Sequence, residues 1–379
     1  MNKILITGGA GFIGTHLTQA LLAAGHQVRI LDCLAPQIHG EVPTELDWLT
    51  ESGVEFMRGS VTDQQMVRKA LNGVDSVVHL AAETGTGQSM YEVARYNEVN
   101  VGGTALLLDV LANDPKRSVK RIVLASSRSI YGEGAYLCLA CNDEKRHYPD
   151  SRKYAQLVAN RWEHSCQTCG NDLKPVATNE DDPSRPASIY AATKYAQEDL
   201  VRIACTSLGI DFAILRLQNV YGEGQSLNNP YTGILSIFST RIRRGQYLPI
   251  FEDGQETRDF VHVKDVALSF QAAIQHPDNL SLICNVGMGV KTTVAEIANR
   301  LSEAFGATPN LLTTKEFRLG DIRHNFANIA LLRKRLGYEP QINIETGMQR
   351  FADWVSKQPL PEDRLEQANA ELKSRGLMG

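Results

Sequence analysis

Two short patterns in this chain gather groups able to do chemistry. Tyr190-Ala-Ala-Thr-Lys194 sets a phenol and an ammonium four residues apart, on one face if the segment is helical. A free phenol has a pKa of about 10 and is a poor base at neutral pH. Nearby positive charge, such as the Lys194 ammonium, favours the phenolate. Ser127, at the end of the apolar run RIVLASS, can hold a reacting hydroxyl by hydrogen bonding. Tyrosine and lysine at this spacing also decorate many surface helices, so the pair gains meaning only from its surroundings. The second pattern is Cys138-x2-Cys141 with Cys166-x2-Cys169, the pairs 24 residues apart, close to zinc-ribbon spacing. Four thiolates predict a closed tetrahedral zinc, structural because no position is left for water. Metal would supply folding energy that so polar a segment lacks. His147 and His164 are weaker alternative ligands, and four unligated thiols on a flexible loop are the plain alternative.

The surroundings of the tyrosine favour chemistry. Gly8-Gly9-Ala10-Gly11-Phe12-Ile13-Gly14 lies between an expected strand and helix. Gly8 permits the tight turn, Gly11 lets backbone approach a pyrophosphate, and Gly14 lets helix pack on strand. The helix N-terminus then offers its free N–H groups to the phosphates. Asp32 ends the second strand 18 residues beyond Gly14, where an acid hydrogen-bonds the adenosine ribose hydroxyls. An acid there repels a 2′-phosphate, so the pattern favours NAD over NADP. An oxidised nicotinamide would add a second positive charge beside Tyr190.

The elements that must position these groups alternate. KILITG, QVRILD, VEFMRG, DSVVHLAA and RIVLASS read as strands, with helices expected over 15–24, 64–71 and 97–112. The strand runs are apolar and β-branched, as strands covered on both faces are. The fold class is therefore α/β, a doubly wound parallel sheet of Rossmann-like type. Residues 1–216 form the NAD-binding domain, interrupted over 133–180 by the four-cysteine zinc-ribbon-like insert. Residues 217–379 form mainly a smaller substrate-binding region, some of whose elements return to the first domain. That region has loops at 223–231 and 253–258 and helices expected over 232–244, 263–275 and 293–305. The tail 362–375 reads as an exposed helix. Apolar stripes on 97–112 and 191–208 could pack on the sheet or on a second subunit.

Bulk properties exclude several classes. A net charge of −4 with 22% charged residues leaves no footprint for nucleic acid and no basic surface for anionic lipid. No apolar run approaches the ~20 residues that span a bilayer. The first strand starts almost at Met1, leaving no room for a signal peptide, so a soluble cytoplasmic protein is expected. Seven cysteines in such a setting suit thiols or metal ligands better than disulfides. Cys33, Cys205 and Cys284 stand singly in apolar surroundings and are expected in the core.

TGGAGFIG at 7–14, HLAA at 79–82, Asn100-Val101-Gly-Gly-Thr104, SSRSIYG at 126–132 and YAATK at 190–194 together carry a resemblance. RLQNVYGEGQ at 216–225, RDFVHVKDVA at 258–267 and RLGDIRH at 318–324 extend it nearly end to end. The chain resembles the extended short-chain dehydrogenase/reductase family, the NAD-dependent epimerases and dehydratases of nucleotide sugars. The resemblance implies that Tyr190 takes a sugar hydroxyl proton while NAD oxidises the same carbon and then reduces it on the other face. Ser127, Tyr190 and Lys194 would be catalytic. Gly8, Gly11, Phe12, Ile13, Gly14, Asp32, Ser60, Val61, Leu80, Ala81, Ala82 and Asn100 would join Tyr190 and Lys194 at the cofactor. Asn100 and Asn219 would lie near a catalytic water and the diphosphate, with Arg258 and Arg318 clamping the phosphates. Thr84, Gly85, Thr86, Arg128, Leu235 and Asp321 would meet the substrate. Phe251 would pack on the nucleobase, although an aromatic there suits the core equally.

The family usually carries Gly-Asp where this chain has Gly59-Ser60, and Asp63 reads as a helix N-cap. The sugar 4,6-dehydratases carry Asp-Glu where this chain has Arg128-Ser129. Sugar-acid decarboxylases carry a glutamate at Ser129, and 3,5-epimerases a cysteine. What remains is oxidation and reduction at one carbon, as in 4-epimerases, with net reductases as the nearest alternative. The insert, with 222–241, 251–263 and the RLEQANAELKSRGL tail, resembles the branch that interconverts dTDP-L-rhamnose and dTDP-6-deoxy-L-talose. A UDP-hexose or UDP-N-acetylhexosamine 4-epimerase remains open, as does a NAD-sensing scaffold without catalysis. The family's four-helix dimers imply a homodimer.

Overall fold

The computed structural model describes residues 2–40, 47–50, 53–142, 144–227 and 233–379. Seven strands make one sheet: β1 (Lys3–Thr7), β2 (Gln27–Asp32), β3 (Val54–Arg58), β4 (Ser76–His79), β5 (Arg121–Ser127), β6 (Asp211–Leu217) and β7 (Ser281–Val286). Their order is β7-β6-β5-β4-β1-β2-β3, and every pairing is parallel. The apolar runs follow from burial on both faces. Ile4, Ile6, Val78 and Val123 point into one core, while their neighbours Leu5, Val77, Ile122 and Leu124 point into the other. The order reverses between β4 and β1, and a crevice opens there at the carboxyl ends of the strands.

The sheet is flanked by α1 (Phe12–Ala23), α2 (Gln64–Leu71), α3 (Gly103–Ala112), α4 (Ile189–Leu208) and, after α5 (Ile234–Arg243) of a second layer, by α6 (Val263–Gln275). Leu17 and Leu21 of α1 meet Val266 and Phe270 of α6 in one core; Val67, Leu107, Leu111 and Val201 fill the other. The second layer adds α7 (Val294–Ala304) and α8 (Ile344–Ser356), whose Ile297 and Phe351 pack with Tyr221, Phe238 and Leu248. β7 and α6 follow residue 217 in the chain yet complete the large sheet. No helix among the described residues is long and apolar enough to cross a membrane.

Most expected helices are found, with informative shifts. Those at 64–71 and 263–275 have the expected bounds, and Asp63 caps the first by accepting from the N–H groups of Gln65 and Met66. α1 begins at Phe12, directly on the glycine turn, three residues before the expected Thr15. The helix expected over 97–112 opens with a wide π-turn over Asn97–Gly102, which turns Asn100 fully inward. The helix expected over 293–305 is α7, entered through a Thr293/Glu296 capping box. Residues 228–232, in the expected loop 223–231 and at the start of the expected helix 232–244, lie outside the described residues.

Two expectations are corrected. The tail is not an exposed helix: α9 (Leu365–Ser374) buries Leu365, Ala368 and Leu372, a narrow stripe at helical spacing. Beyond it, Gly379 exchanges both backbone hydrogen bonds with Phe317. Cys33 is exposed rather than core, because it follows β2 at the open carboxyl end of the sheet; Cys205 and Cys284 are buried as expected.

The insert leaves the turn after β5 and returns before α4. It is closed at its base by the antiparallel pair Ala135–Leu137 and Lys174–Val176; Tyr136, Cys138, Cys166 and Leu173 cluster with Cys141 against them, and Leu157 and Trp162 pack on Phe317.

Strand arginines finish two of the helices. Arg29 Nη1 donates to the carbonyls of Ala70 and Asn72, both at 2.7 Å, at the end of α2. Arg121 Nη1 donates to Ile274 and His276 carbonyls at 3.0 and 2.7 Å at the end of α6, and its Nη2 bonds Asp211 at 3.0 Å. Each supplies positive charge and donors where helix carbonyls lack partners. Arg121→Met leaves those carbonyls unmatched and takes the partner from the half-buried Asp211, so urea denaturation should show a loss of about 2 kcal/mol.

Candidate active site

A cavity of about 780 Å³ runs along the carboxyl ends of the strands, from the glycine turn to a wall built by 249–258 and 318–321. At one end the glycines are needed for close approach. A Cβ on Gly8, at φ +69°, would sit 2.7 Å from Ala81 N, and one on Gly14 would sit 2.5 Å from Gly9 O. No side chain caps α1, so its first N–H groups stay available to an anion. Asp32 lines the cavity and accepts from Ala10 N at 3.0 Å and Leu34 N at 2.8 Å, which fixes its carboxylate at the rim. Phe12, Ile13, Ser60, Val61, Leu80, Ala81 and Ala82 line the same end, a cleft suited to a dinucleotide. Ser60, where the family usually has an acid, instead bonds Thr62 Oγ1 at 2.8 Å.

Asn100 is the exception among the expected cavity residues. It does not line the cavity but sits behind it. Its Oδ1 accepts from Glu83 N at 2.7 Å, and its Nδ2 donates to Glu83 O at 3.1 Å and Thr193 Oγ1 at 3.0 Å. The π-turn buries it, and its hydrogen bonds tie the 83–86 wall to the base of α4.

Ser127, Tyr190 and Lys194 converge at the middle of the cavity, although the insert separates the first from the others in the chain. The Ser127 hydroxyl and the Tyr190 phenol line the same part of the cavity. Burial raises the phenol's pKa, against which the Ser127 hydroxyl and the Arg128 charge work. Lys194 is buried, donates from Nζ to Ala125 O at 3.1 Å, and is brought down to about 8 by burial despite Glu198. The residue pattern assigns the phenol's cationic neighbour to Lys194; the geometry adds Arg128, whose Nε donates to Asn219 Oδ1 at 2.9 Å. Burial, with Arg258 nearby, works against the Arg128 charge, but a guanidinium keeps its proton across the range in which the phenol titrates.

The far wall gathers Thr84, Gly85, Thr86, Asn219, Leu235, Phe251, Arg258, Arg318 and Asp321 at one surface. Arg318 lies over the Phe251 ring at 4.9 Å and donates to Asn369 of α9 at 3.0 Å. Glu256 also lines this wall, pushed up to about 7 by burial although Arg258 opposes the shift. Its type and place in GQETRDF do not distinguish it from a surface acid in sequence.

The four cysteine sulfurs lie within 4.8 Å of one another, with Cys138–Cys169 at 3.4 Å and Cys141–Cys166 at 3.7 Å. A tetrahedral zinc with ~2.3 Å bonds places its sulfurs about 3.8 Å apart, whereas a disulfide needs about 2.05 Å. Thr168 N–H and Asn171 Nδ2 each donate to a cluster sulfur at 3.4 Å, as donors around a metal-bound thiolate do. Neither histidine alternative joins the cluster: His164 faces Glu133 at 3.2 Å, and His147 pairs its backbone with Tyr136. No residue of 133–180 lines the large cavity among the described residues.

Comparison with known proteins agrees with this geometry. The profile of the NAD dependent epimerase/dehydratase family matches residues 4–167 and 163–287. The chain is 38% identical over 361 residues to a dTDP-L-rhamnose 4-epimerase of Burkholderia thailandensis, covering 94% of this chain and 95% of that one. It is 29% identical to a putative UDP-glucose 4-epimerase of Methanocaldococcus jannaschii, over 93% of this chain and 98% of that one. Among solved structures it is similar to a UDP-glucuronic acid 4-epimerase from Bacillus cereus in complex with UDP-glucuronic acid and NAD. That likeness has a TM-score of 0.74 and 25% identity, covering 94% of this chain and 99% of the other.

Removing the Arg128 charge makes the Tyr190 phenolate less favourable, so its pKa moves up. In Arg128→Met the phenolate absorbance assigned by difference from Tyr190→Phe should appear about one pH unit later than in the parent protein.

Proposed function

This chain belongs to the NAD-dependent epimerase/dehydratase family and is an NAD-dependent nucleotide-sugar 4-epimerase; we propose that it interconverts dTDP-L-rhamnose and dTDP-6-deoxy-L-talose. The observation that carries the proposal is the convergence of Ser127 and Tyr190 beside Arg128, where no carboxylate follows Ser127 to drive loss of water. The choice of sugar and nucleobase is supported by the 38% identity to the relative from Burkholderia thailandensis and by the resemblance of the insert to that branch.

Bound NAD supplies a reversible hydride acceptor for the carbon that is inverted. The chain's own residues do the rest. Tyr190 takes the proton of the 4-hydroxyl, and Ser127 holds that hydroxyl by hydrogen bonding. Arg128 favours the charged phenol. The 4-keto sugar then turns, and Tyr190 returns the proton to the oxygen of the opposite epimer. Arg258 and Arg318 hold the diphosphate while the sugar turns, a task for guanidinium forks. Asp32 at the cofactor rim favours NAD by repelling a 2′-phosphate.

Zinc at Cys138, Cys141, Cys166 and Cys169 is part of the same reading, supported by the sulfur spacing. It is structural, since four thiolates leave no open position. A homodimer through α3 and α4 is supported by Tyr195 and Ile203, large apolar side chains that α4 leaves exposed. A UDP-hexose 4-epimerase is the second reading, favoured by the UDP-sugar complexes among similar structures.

Purified protein given dTDP-L-rhamnose and no added cofactor should invert C4, seen by NMR, and UDP-glucose should not be inverted. A need for stoichiometric reduced cofactor would make the enzyme a reductase instead. Tyr190→Phe should lower turnover about a thousandfold while NAD stays bound. Metal analysis should find zinc at about one per chain, lost in Cys169→Ser.

A further inference from the structure

The insert makes its firmest contacts with the rear of the wall that carries Arg258. Arg323, buried to 1% exposure, is the junction. On the wall side its carbonyl accepts from Arg258 Nη1 at 3.1 Å and from Thr257 N at 3.1 Å. Its guanidinium is also held by Asp253 at 2.7 and 2.9 Å and by Glu252 at 3.0 Å. On the insert side Glu163 accepts from its Nε at 2.9 Å and its Nη2 at 2.6 Å, and Glu133 accepts from its backbone N–H at 2.7 Å. A second link runs beside it: Arg152 of the insert makes a bidentate pair with Glu252, both bonds 2.7 Å, and donates to Asp321 O at 3.0 Å.

The path from these groups to the sulfurs is short. Glu163 lies three residues before Cys166, and its Oε2 also meets His324 Nε2 at 3.0 Å. Tyr136, two residues before Cys138, packs edge-on against His164 at 5.3 Å. The apolar cluster around the sulfurs is too small to hold these groups in place by burial alone. Without the Glu163 charge Arg323 keeps Asp253 and Glu252 on the wall side, so the guanidinium is released from the insert and settles on the wall alone.

We propose that the four-cysteine insert braces the phosphate-binding wall, with Arg323 as the positioning residue that sets Arg258 for a nucleotide diphosphate. Metal bound at the sulfurs holds Glu163, Glu163 holds the Arg323 guanidinium, and Arg323 fixes the carbonyl that aims Arg258. The brace acts on substrate affinity and not on the chemical step, because Ser127, Tyr190 and Lys194 stand on other elements. It rests on the reading of this chain as a nucleotide-sugar enzyme.

The test is calorimetric titration of the NAD-loaded, zinc-loaded protein with dTDP, or with UDP if that is the nucleotide the parent protein takes. Glu163→Gln keeps the shape of the side chain and removes its charge. It should weaken nucleotide binding about tenfold. KM for the nucleotide sugar should rise by a similar factor, with kcat within about twofold and NAD content unchanged. Withdrawal of zinc from the parent protein by a chelator should give the same loss, and added zinc should restore affinity. If Glu163→Gln does not fold, the chelator arm decides alone. Unchanged nucleotide affinity in either arm overturns the brace. A parent protein that binds neither dTDP nor UDP overturns the nucleotide-sugar reading beneath it, which separates the two failures.

Discussion

The helix that carries Tyr190 and Lys194 is placed by a buried ion pair. Glu198 of α4 meets Arg216 of β6 with Nη2 to Oε2 at 2.7 Å, both side chains nearly free of solvent. A second oxygen of the same carboxylate accepts from the Ser126 hydroxyl of β5. Neither charge can stay buried without the other, so α4 has essentially one position against β5 and β6. Tyr190, Lys194 and Glu198 stand at successive four-residue steps along that helix. With Glu198 tied to the sheet, Lys194 reaches Ala125 O and Tyr190 reaches Ser127. Arg216 also donates to the Tyr131 hydroxyl at 2.7 Å and lies over its ring, which fixes the turn from which the insert departs. The site therefore survives a long interruption in the chain because an electrostatic constraint holds both sides of it.

The same logic recurs on the opposite wall with different consequences. Arg152 and Arg323 are buried among Glu133, Glu163, Glu252 and Asp253, contributed by two stretches distant in the chain. Such a set is costly to take out of water and is held together only while complete. That dependence gives the insert influence over a cavity it does not line. In the proposed function the two walls divide the work: hydrogen-bonded sheet residues set Tyr190 and Lys194, and the charged set would position Arg258 for the nucleotide.

Much of the fold was legible in sequence because parallel strands buried on both faces must be apolar and β-branched, and because the glycine turn can be built only from glycines. The Tyr190/Lys194 pair was legible through its spacing, and the four thiols through theirs. Other features left no local trace. Cys33 is apolar in its surroundings along the chain, yet it stands at the open end of β2. The tail buries three apolar positions among many charges, and its partners, Phe317, Arg318 and Tyr91 among them, show that it docks. Asn100 lies in a motif that suggests ligand contact, and a π-turn buries it behind the cavity instead.

The sequence by itself determined the sheet, the glycine-turn cleft, the residues proposed to react and a four-sulfur cluster, because each depends on local patterning or on residue type. Tertiary structure decided which charges are matched. Glu256, Glu163 and Arg323 read along the chain as ordinary charged residues, and whether such a group is solvated or buried depends on partners up to 190 residues away, as Glu133 is from Arg323. Burial makes each of these pairings obligatory, since the energy of a charge is set by its surroundings and not by its neighbours in sequence.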